Sequence, residues 1–104
     1  MAMNMQQVMQ QARKMQAQLA EAQERLKDQE VTASAGGGMV KVTATGDGVI
    51  TGITIDPEVL DPEDVELIQD TILAAVNEAL SSAQELSNRQ LGAITGGMGL
   101  PGMF

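Results

Sequence analysis

Residues 39–57 read MVKVTATGDGVITGITIDP and are the one stretch of this 104-residue chain with the pattern of a β-sheet. Before the Gly46-Asp47-Gly48 turn, apolar and polar side chains alternate between two faces, Val40, Val42 and Ala44 against Lys41, Thr43 and Thr45. After the turn the alternation resumes with Val49, Thr51, Ile53 and Ile55. This pattern predicts a β-hairpin. Because an isolated hairpin is only marginally stable in water, it must pack on helices of its own chain or on a second copy.

One long amphipathic helix, over about residues 4–29, is predicted before the sheet. Asn4 is a candidate N-cap. The apolar residues recur at intervals of three and four, which places them on one side of a helix. We call this side the N-terminal seam, and it consists of Met5, Val8, Ala12, Met15, Leu19, Ala22 and Leu26. The seam is narrow and soft, which favours packing against another helix over filling a globular core.

A weaker strand, residues 31–35, lies between this helix and the hairpin and ends at Gly36-Gly37-Gly38. Three consecutive glycines suggest a phosphate-binding loop. Neither the lysine of a P-loop nor the spacing of a dinucleotide-binding motif follows them, so we interpret them as a turn. The order of elements predicts a three-stranded antiparallel β-meander over about residues 31–56.

A second long helix is predicted over about residues 62–91. Asp61 is the expected N-cap and Pro62 the expected first helical residue. Its apolar side consists of Val65, Ile68, Ile72, Val76, Ala79, Ala83 and Leu86. The remaining residues, 92–104, read GAITGGMGLPGMF and contain too much glycine for regular structure, which predicts a flexible tail. The chain is therefore predicted to be one α+β domain over residues 1–91, followed by a tail.

The composition restricts the chemistry that the chain can perform. It contains no cysteine and no histidine, which excludes disulfides, thiolate or imidazole metal sites, and Cys or His nucleophiles. The acidic residues at the start of the second helix lack the spacing of a calcium loop and are interpreted as a solvated, dipole-complementing face. We therefore expect no enzyme activity, no metal, no cofactor and no small-molecule substrate. Because Phe104 is the only aromatic residue, a monomer lacks bulky core side chains, and oligomerisation is expected to compensate.

Charge is distributed unevenly along the chain, whose net charge is −8. Residues 1–20 and 86–104 contain three basic residues and no acidic one. The fourteen acidic residues and the other three basic ones lie in residues 21–85, which therefore carry a net charge of −11. The cationic residues of the two ends are Arg13, Lys14 and Arg89. The sequence has neither an apolar run of about 18 residues nor the pattern of a signal peptide, so we expect no membrane association and a cytoplasmic location.

The assembled pattern resembles the YbaB/EbfC family of bacterial nucleoid-associated proteins. The resemblance covers nearly the whole chain and is carried by EVTASAGGGMVKVTATGDG, by IDPEVL, by the acidic start of the second helix and by the glycine-rich tail. It implies an intertwined homodimer in which strands of two chains form a joint sheet and the long helices project as paired arms, a tweezer shape. It also implies binding of duplex DNA at the nucleoid, with weak or broad sequence preference, through cationic tips of the projecting helices.

Two sets of candidate residues follow from the resemblance together with the charge pattern. The candidate DNA-binding residues are Arg13, Lys14, Arg25, Lys27 and Arg89. The candidate dimer-interface residues are Val40, Val42, Val49, Ile53, Ile55, Ile72 and Val76. The first helix departs from the family pattern, because glutamines occupy much of it where family members often carry lysine. We therefore expect weak, salt-sensitive binding.

A second interpretation remains open from the sequence. The methionine-rich seam is also suited to holding a helix of a partner protein, and the acidic body would then repel nucleic acid. On this interpretation the protein is an adaptor for recombination or replication factors. The two interpretations differ in whether Arg13 and Lys14 are needed for binding to DNA.

Overall fold

The structure, a computed structural model, describes residues 4–96 and confirms the α+β prediction. Two long helices flank three consecutive strands, and a short 3₁₀ turn, Pro57–Val59, follows the last strand. The helices are α1, Met5–Lys27, and α2, Val65–Gly96. The strands are β1, Glu30–Ala35, β2, Val40–Thr45, and β3, Ile50–Ile55.

The start of α1 is fixed by a reciprocal cap that contains no charge. The side chain of Asn4 accepts a hydrogen bond from the backbone of Gln7 at 2.8 Å, and the Gln7 side chain accepts one from the backbone of Asn4 at 3.3 Å. The predicted N-cap is therefore confirmed, and it belongs to a capping box. The helix ends at Lys27, two residues before the predicted end, and the amide of Asp28 closes the last turn by bonding to the Arg25 and Leu26 carbonyls.

The three strands form one antiparallel sheet in the order β1-β2-β3, which confirms the predicted meander. Gly36, Gly37 and Gly38 form the turn between β1 and β2 with φ values of 65°, 69° and 90°. These are left-handed conformations that residues with a Cβ rarely adopt, which explains the three glycines without any ligand.

The predicted alternation in the third strand is wrong at its beginning because of a β-bulge. Thr43 pairs with Gly52, whereas the next residue, Ala44, pairs with Ile50, so one residue of β3 has no counterpart in β2. A shift of one residue exchanges the two faces of a strand. Ile50 therefore packs against the core, while Val49 lies in the turn and is 54% exposed.

The core lies between the sheet and the first two-thirds of α2. Val40, Val42 and Ala44 are fully buried in β2, as the alternation predicts, and Lys41 lies on the opposite, exposed face. The residues of α2 that cover them are mostly small, namely Ile68, Ala75, Ala79 and Ala83. Alanine allows the helix to approach the sheet closely, but it leaves a thin core whose largest fully buried side chains are Leu26, Val40 and Val42.

The N-terminal boundary of α2 lies three residues later than predicted, at Val65. The side chain of Asp61 accepts a hydrogen bond from the Glu63 amide at 2.9 Å, and the Asp64 amide bonds to the Asp61 carbonyl at 3.0 Å. Asp61 and Pro62 therefore belong to a separate turn. The side chain of Asp64 accepts a bond from the Leu67 amide, so Asp64 and not Asp61 caps the helix.

The C-terminal end of α2 lies five residues beyond the predicted end at residue 91. The helix continues through Gly92 to Gly96, a stretch that the glycine content places in the tail. Ala93 and Ile94 line a groove shared with α1, and the helix continues through Gly92 despite the low helix propensity of glycine. The rest of the predicted tail, residues 97–104, lies outside the described residues.

Beyond the sheet, α1 and the last third of α2 pair as an arm. Ala22 and Leu26 are the buried residues of α1, and the side chain of Gln90 donates a hydrogen bond to that of Gln29. The molecule measures 71 × 27 × 16 Å, which is consistent with a projecting arm. Neither helix within residues 4–96 has both the length and the apolar character needed to cross a bilayer.

Candidate nucleic-acid interface

Arg13 and Lys14 lie in the N-terminal half of α1, whose other end lies beside α2 and the sheet. Both side chains are exposed, and the structure gives neither an ion-pair partner among residues 4–96. The first acidic residue of α1 is Glu21, about 10 Å from Lys14 along the helix axis. This separation exceeds the screening length of about 8 Å at physiological salt, so the positive potential of this segment persists.

Lys14 shares one side of α1 with several glutamines. Lys14 and Arg25 are eleven residues apart, about three helical turns, and line the same shallow groove of about 650 Å³ beside the end of α2. Arg13 lies about 100° around the helix from Lys14. We call the side that carries Lys14 the polar face of α1, and it consists of Gln7, Gln10, Gln11, Lys14, Gln18, Glu21 and Arg25.

Lys27 is already paired with an acidic side chain. Its ammonium nitrogen lies 3.0 Å from a carboxylate oxygen of Glu24, one turn earlier in α1. The hydrogen bond to Glu24, followed by the charge of the same carboxylate, raises the pKa of Lys27 above its usual 10.5. Lys27 therefore offers a phosphate less net charge than Arg13 or Lys14 does.

Arg89 lies at the base of the arm and not at its tip, which corrects the expected position of the C-terminal cation. The hydrogen bond between Gln90 and Gln29 places this part of α2 beside the C-terminal end of α1, where the sheet begins. Arg89 is exposed there, close to the acidic body. Arg25 and Lys27 also lie in the last turns of α1. Two of the five candidate DNA-binding residues, Arg13 and Lys14, thus lie in the N-terminal half of α1, away from the sheet.

The described residues offer surfaces for binding but no enclosed site for chemistry. No polar or charged side chain among them is buried, and none of their buried polar atoms lacks a hydrogen-bond partner. No group of three acidic residues within the same part of the chain is arranged to hold a metal ion.

The candidate dimer-interface residues divide into three groups. Val40 and Val42 are fully buried by α2 of their own chain and have no surface to offer a partner. Ile55, Ile72 and Val76 are half-buried. Val49 and Ile53 are exposed. That these residues form an interface stays a prediction. Five of the seven have side-chain surface that a partner could contact.

Large apolar side chains remain exposed next to the core. The apolar stripe of α2 is wider than the sheet surface that it covers, because the helix packs mainly on β1 and β2 and little on β3. Ile53 of β3 is 47% exposed, and Leu73 of α2 is 59% exposed. The predicted interface does not include Leu73 and Leu80, which are also exposed. In the sequence they lie beside Ile72 and Val76 on the helix, so the apolar side of α2 is wider than a three-stranded sheet can cover.

The fold is that of a class of α+β proteins with a projecting basic segment. In this class a helix covers one face of a three-stranded antiparallel meander and continues into a two-helix arm. The model of the YbaB/EbfC DNA-binding family matches residues 1–98, and the chain belongs to this family.

Relatives with similar sequences cover almost the whole chain. A nucleoid-associated protein from Moorella thermoacetica is 57% identical over 99 residues, which are 95% of each chain. Another nucleoid-associated protein, from Ruminiclostridium cellulolyticum, is 53% identical over 102 residues, 97% of this chain and 89% of the relative. The fold is also similar to the crystal structure of an uncharacterised protein from Helicobacter pylori, with a TM-score of 0.75 and 30% identity, covering 90% of this chain and 97% of the other.

Proposed function

We propose that the protein is a non-enzymatic, homodimeric component of the bacterial nucleoid that binds duplex DNA with little sequence preference. Membership of a DNA-binding family and the names of its relatives support DNA as the partner and the nucleoid as its location. The observation that carries the proposal is the acid-free segment of α1, residues 5–20, in which Arg13 and Lys14 are both exposed. DNA that lies along this segment meets no acidic side chain of the segment itself.

Exposed apolar side chains beside the thin core support a homodimer. Ile53 is 47% exposed and Leu73 is 59% exposed. Apolar side chains left exposed next to a core are typical of a surface that a partner covers.

Phosphate contacts account for binding without a sequence code. Arg13 and Lys14 point in directions about 100° apart, so one helix can reach two separate phosphates. The glutamines of the polar face add uncharged donors that bond equally well to phosphates of any sequence. Two copies of Arg13 and Lys14 supply four charges per dimer, which predicts a slope of about −3.6 in the logarithm of affinity against the logarithm of salt concentration.

The proposal is tested by fluorescence anisotropy with a random-sequence duplex over a series of salt concentrations. The wild type is compared with a variant that combines Arg13→Glu and Lys14→Glu. We expect the wild type to bind at low salt and the variant to lose binding while its circular dichroism spectrum remains helical. Retained binding by the folded variant would show that DNA contacts another part of the protein.

A role as an adaptor is the second candidate function. Met5, Val8 and Met9 are exposed in the first turns of α1, and methionine side chains adapt well to different partner helices. On this proposal the partner is a recombination or replication protein that supplies an amphipathic helix. An alanine substitution of Met5 and Met9 would then weaken binding to that helix without changing the binding of DNA.

A further inference from the structure

Opposite charges are concentrated in two separate segments of the chain. Residues 5–20 of α1 contain Arg13 and Lys14 and no acidic residue. Residues 56–70, which join β3 to α2 and form the first turns of α2, contain seven acidic residues and no basic one. The two segments are therefore electrostatically complementary to each other.

The two segments are too far apart to meet within one chain. Asp70 lies in the second turn of α2, whereas Ile94, near the other end of this helix, lines a groove with Lys14. Asp70 and Ile94 are twenty-four residues apart, which is about 36 Å along the helix. No side chain spans this distance, so the acidic segment can meet Arg13 and Lys14 only in a second copy.

The start of α2 carries an exposed leucine among its carboxylates. Glu66, Leu67 and Asp70 lie within about 100° of one another around the helix, and the buried Ile68 lies on the opposite side. Leu67 is 59% exposed. We call these three exposed residues, Glu66, Leu67 and Asp70, the acidic face of α2.

The matching side of α1 combines two cations with uncharged residues. Arg13 and Lys14 are about 100° apart around the helix, and Gln10 and Ala17 lie between these two directions. All four residues are exposed, and we call them the cationic face of α1. Ala17 leaves room for a larger apolar side chain, and the methylene groups of Arg13 and Lys14 offer apolar surface on both sides of it.

We propose that the acidic face of α2 in one copy docks on the cationic face of α1 in another. Leu67 then packs on Ala17, and the carboxylates beside it pair with Arg13 and Lys14. Because the two surfaces differ, the contact is heterologous, and each copy can bind one neighbour through α1 and another through α2. Ion pairs between exposed side chains contribute about 0.2–1 kcal/mol each, so the contact is weak and forms at low salt.

The contact gives the protein an internal competitor of DNA. It occupies Arg13 and Lys14, the same two cations that the proposed function assigns to DNA, and in this respect it rests on that function. A copy that binds DNA through these residues releases the acidic face of its neighbour. The contact itself forms without DNA, so it is tested independently of DNA binding.

The first test measures the apparent mass of the full-length protein by small-angle scattering over a series of concentrations. We expect the mass to rise with concentration at an ionic strength of about 0.01 M, where the screening length is about 30 Å, and to stay constant at about 0.15 M, where it is about 8 Å. Asp70→Lys should abolish the rise. Glu78→Lys makes the same change at another exposed position of α2 and should retain it. A constant mass for the wild type at low salt, or equal behaviour of the two variants, would overturn the proposal.

The second test identifies the two surfaces with a pair of complementary variants. One variant combines Arg13→Glu with Lys14→Glu and keeps the acidic face, and the other combines Glu66→Lys with Asp70→Lys and keeps the cationic face. Neither should associate alone. When the second variant is isotope-labelled and mixed with the unlabelled first variant at low salt, we expect changes in the NMR amide shifts of residues 10–17.

The controls separate this contact from other causes of a shift change. The changes should vanish at an ionic strength of about 0.15 M, which distinguishes the contact from an exchange of subunits between dimers. Circular dichroism shows whether the variants remain helical, and the neutral changes Glu66→Gln and Asp70→Asn replace the charge reversals if they do not. Unchanged shifts at residues 10–17 in a mixture of folded variants would overturn the proposal.

Competition with DNA is measured in the same mixture. A short duplex that binds the labelled variant, as followed by fluorescence anisotropy, should displace the unlabelled variant, and a shift pattern that still contains the contribution of the unlabelled variant would overturn the competition. Failure of the duplex to bind would overturn the proposed function alone, because the contact between copies is established or excluded by the first two experiments.

Discussion

The amide nitrogen of Gly46 lies 2.9 Å from the carbonyl oxygen of Leu26, which joins the turn after β2 to the last buried residue of α1. The same amide also lies 2.9 Å from the carbonyl oxygen of Gln29. Gly46 is buried, and a Cβ at this position would lie 2.7 Å from Cδ2 of Leu26 and 3.0 Å from its carbonyl oxygen. This contact holds the last turn of α1 against the turn after β2.

We predict that Gly46→Ala destabilises the protein by about 1–3 kcal/mol, because the added methyl group must displace the backbone of α1 as well as a side chain. Urea denaturation monitored by circular dichroism measures the change. Gly92→Ala is the matched control, since a Cβ at this position of α2 would have nothing within 4 Å, and it should stabilise the helix by about 0.5–1 kcal/mol. Equal stabilities for the Gly46→Ala variant and the wild type would show that the arm is not held by this contact.

Single charge removals distinguish the arm from the body as the DNA-binding surface. Lys14→Gln should reduce the magnitude of the salt slope by about 1.8 per dimer, because two phosphate contacts are lost. Lys41→Gln removes the same charge from the exposed face of the sheet and should leave the slope unchanged. The slopes are obtained from anisotropy titrations at several salt concentrations. Equal reductions in both variants would indicate that the arm has no special part in binding.

Release of Lys27 from its ion pair should strengthen DNA binding. Glu24→Gln removes the carboxylate that lies 3.0 Å from the Lys27 ammonium group and lowers the pKa of Lys27 toward its usual 10.5. A freed ammonium group near Arg25 adds one possible phosphate contact per chain, so affinity at low salt should rise and the slope should become steeper by about 1.8 per dimer. Glu78→Gln, which removes one exposed carboxylate from the middle of α2, is the control for net charge. Lys27 takes no part in binding if both variants gain affinity equally.

The same ion pair predicts a dependence on pH at the alkaline end. Because the pKa of Lys27 is raised in the folded protein, the stabilisation from this pair is fully present below the unfolded-state pKa near 10.5. It is lost as the pH rises through the higher folded-state pKa. The wild type should therefore lose helix stability above about pH 10.5 more steeply than Glu24→Gln does, as measured by thermal unfolding at a series of pH values.

The periodicity of the sequence is sufficient to predict every long helix and every strand, because each has one apolar side. The errors arise where a backbone feature changes the register or the boundary. The bulge opposite Ala44 moves Ile50, and not Val49, to the core, and no side-chain pattern shows where an extra residue will be accommodated. The cap of α2 is Asp64 in place of Asp61 because two aspartates lie within one turn of each other and either is able to cap a helix.

The candidate DNA-binding residues were predicted largely from the distribution of charge along the sequence. That distribution does not show where on the arm each residue lies. Arg89 follows the last acidic residue of the chain, which suggests a free cationic end. The continuation of α2 through Gly92 places it at the base of the arm instead. Ile94 lines a groove with residues of α1, a proximity between residues far apart in the sequence that charge and composition do not indicate.

Ile53 provides the sharpest test of the proposed dimer, because its side chain and that of the next residue lie on opposite faces of β3. Ile53 pairs with the buried Val42 and is nonetheless 47% exposed in the single chain. A charge at this position costs little in a monomer but is desolvated in an interface that covers this face. We predict that Ile53→Asp shifts the protein from twice the chain mass to the chain mass in sedimentation equilibrium at micromolar concentration. Thr54→Asp places the same charge on the exposed opposite face and should leave the mass unchanged. Dissociation of both variants, or of neither, would exclude the face that carries Ile53 from the interface.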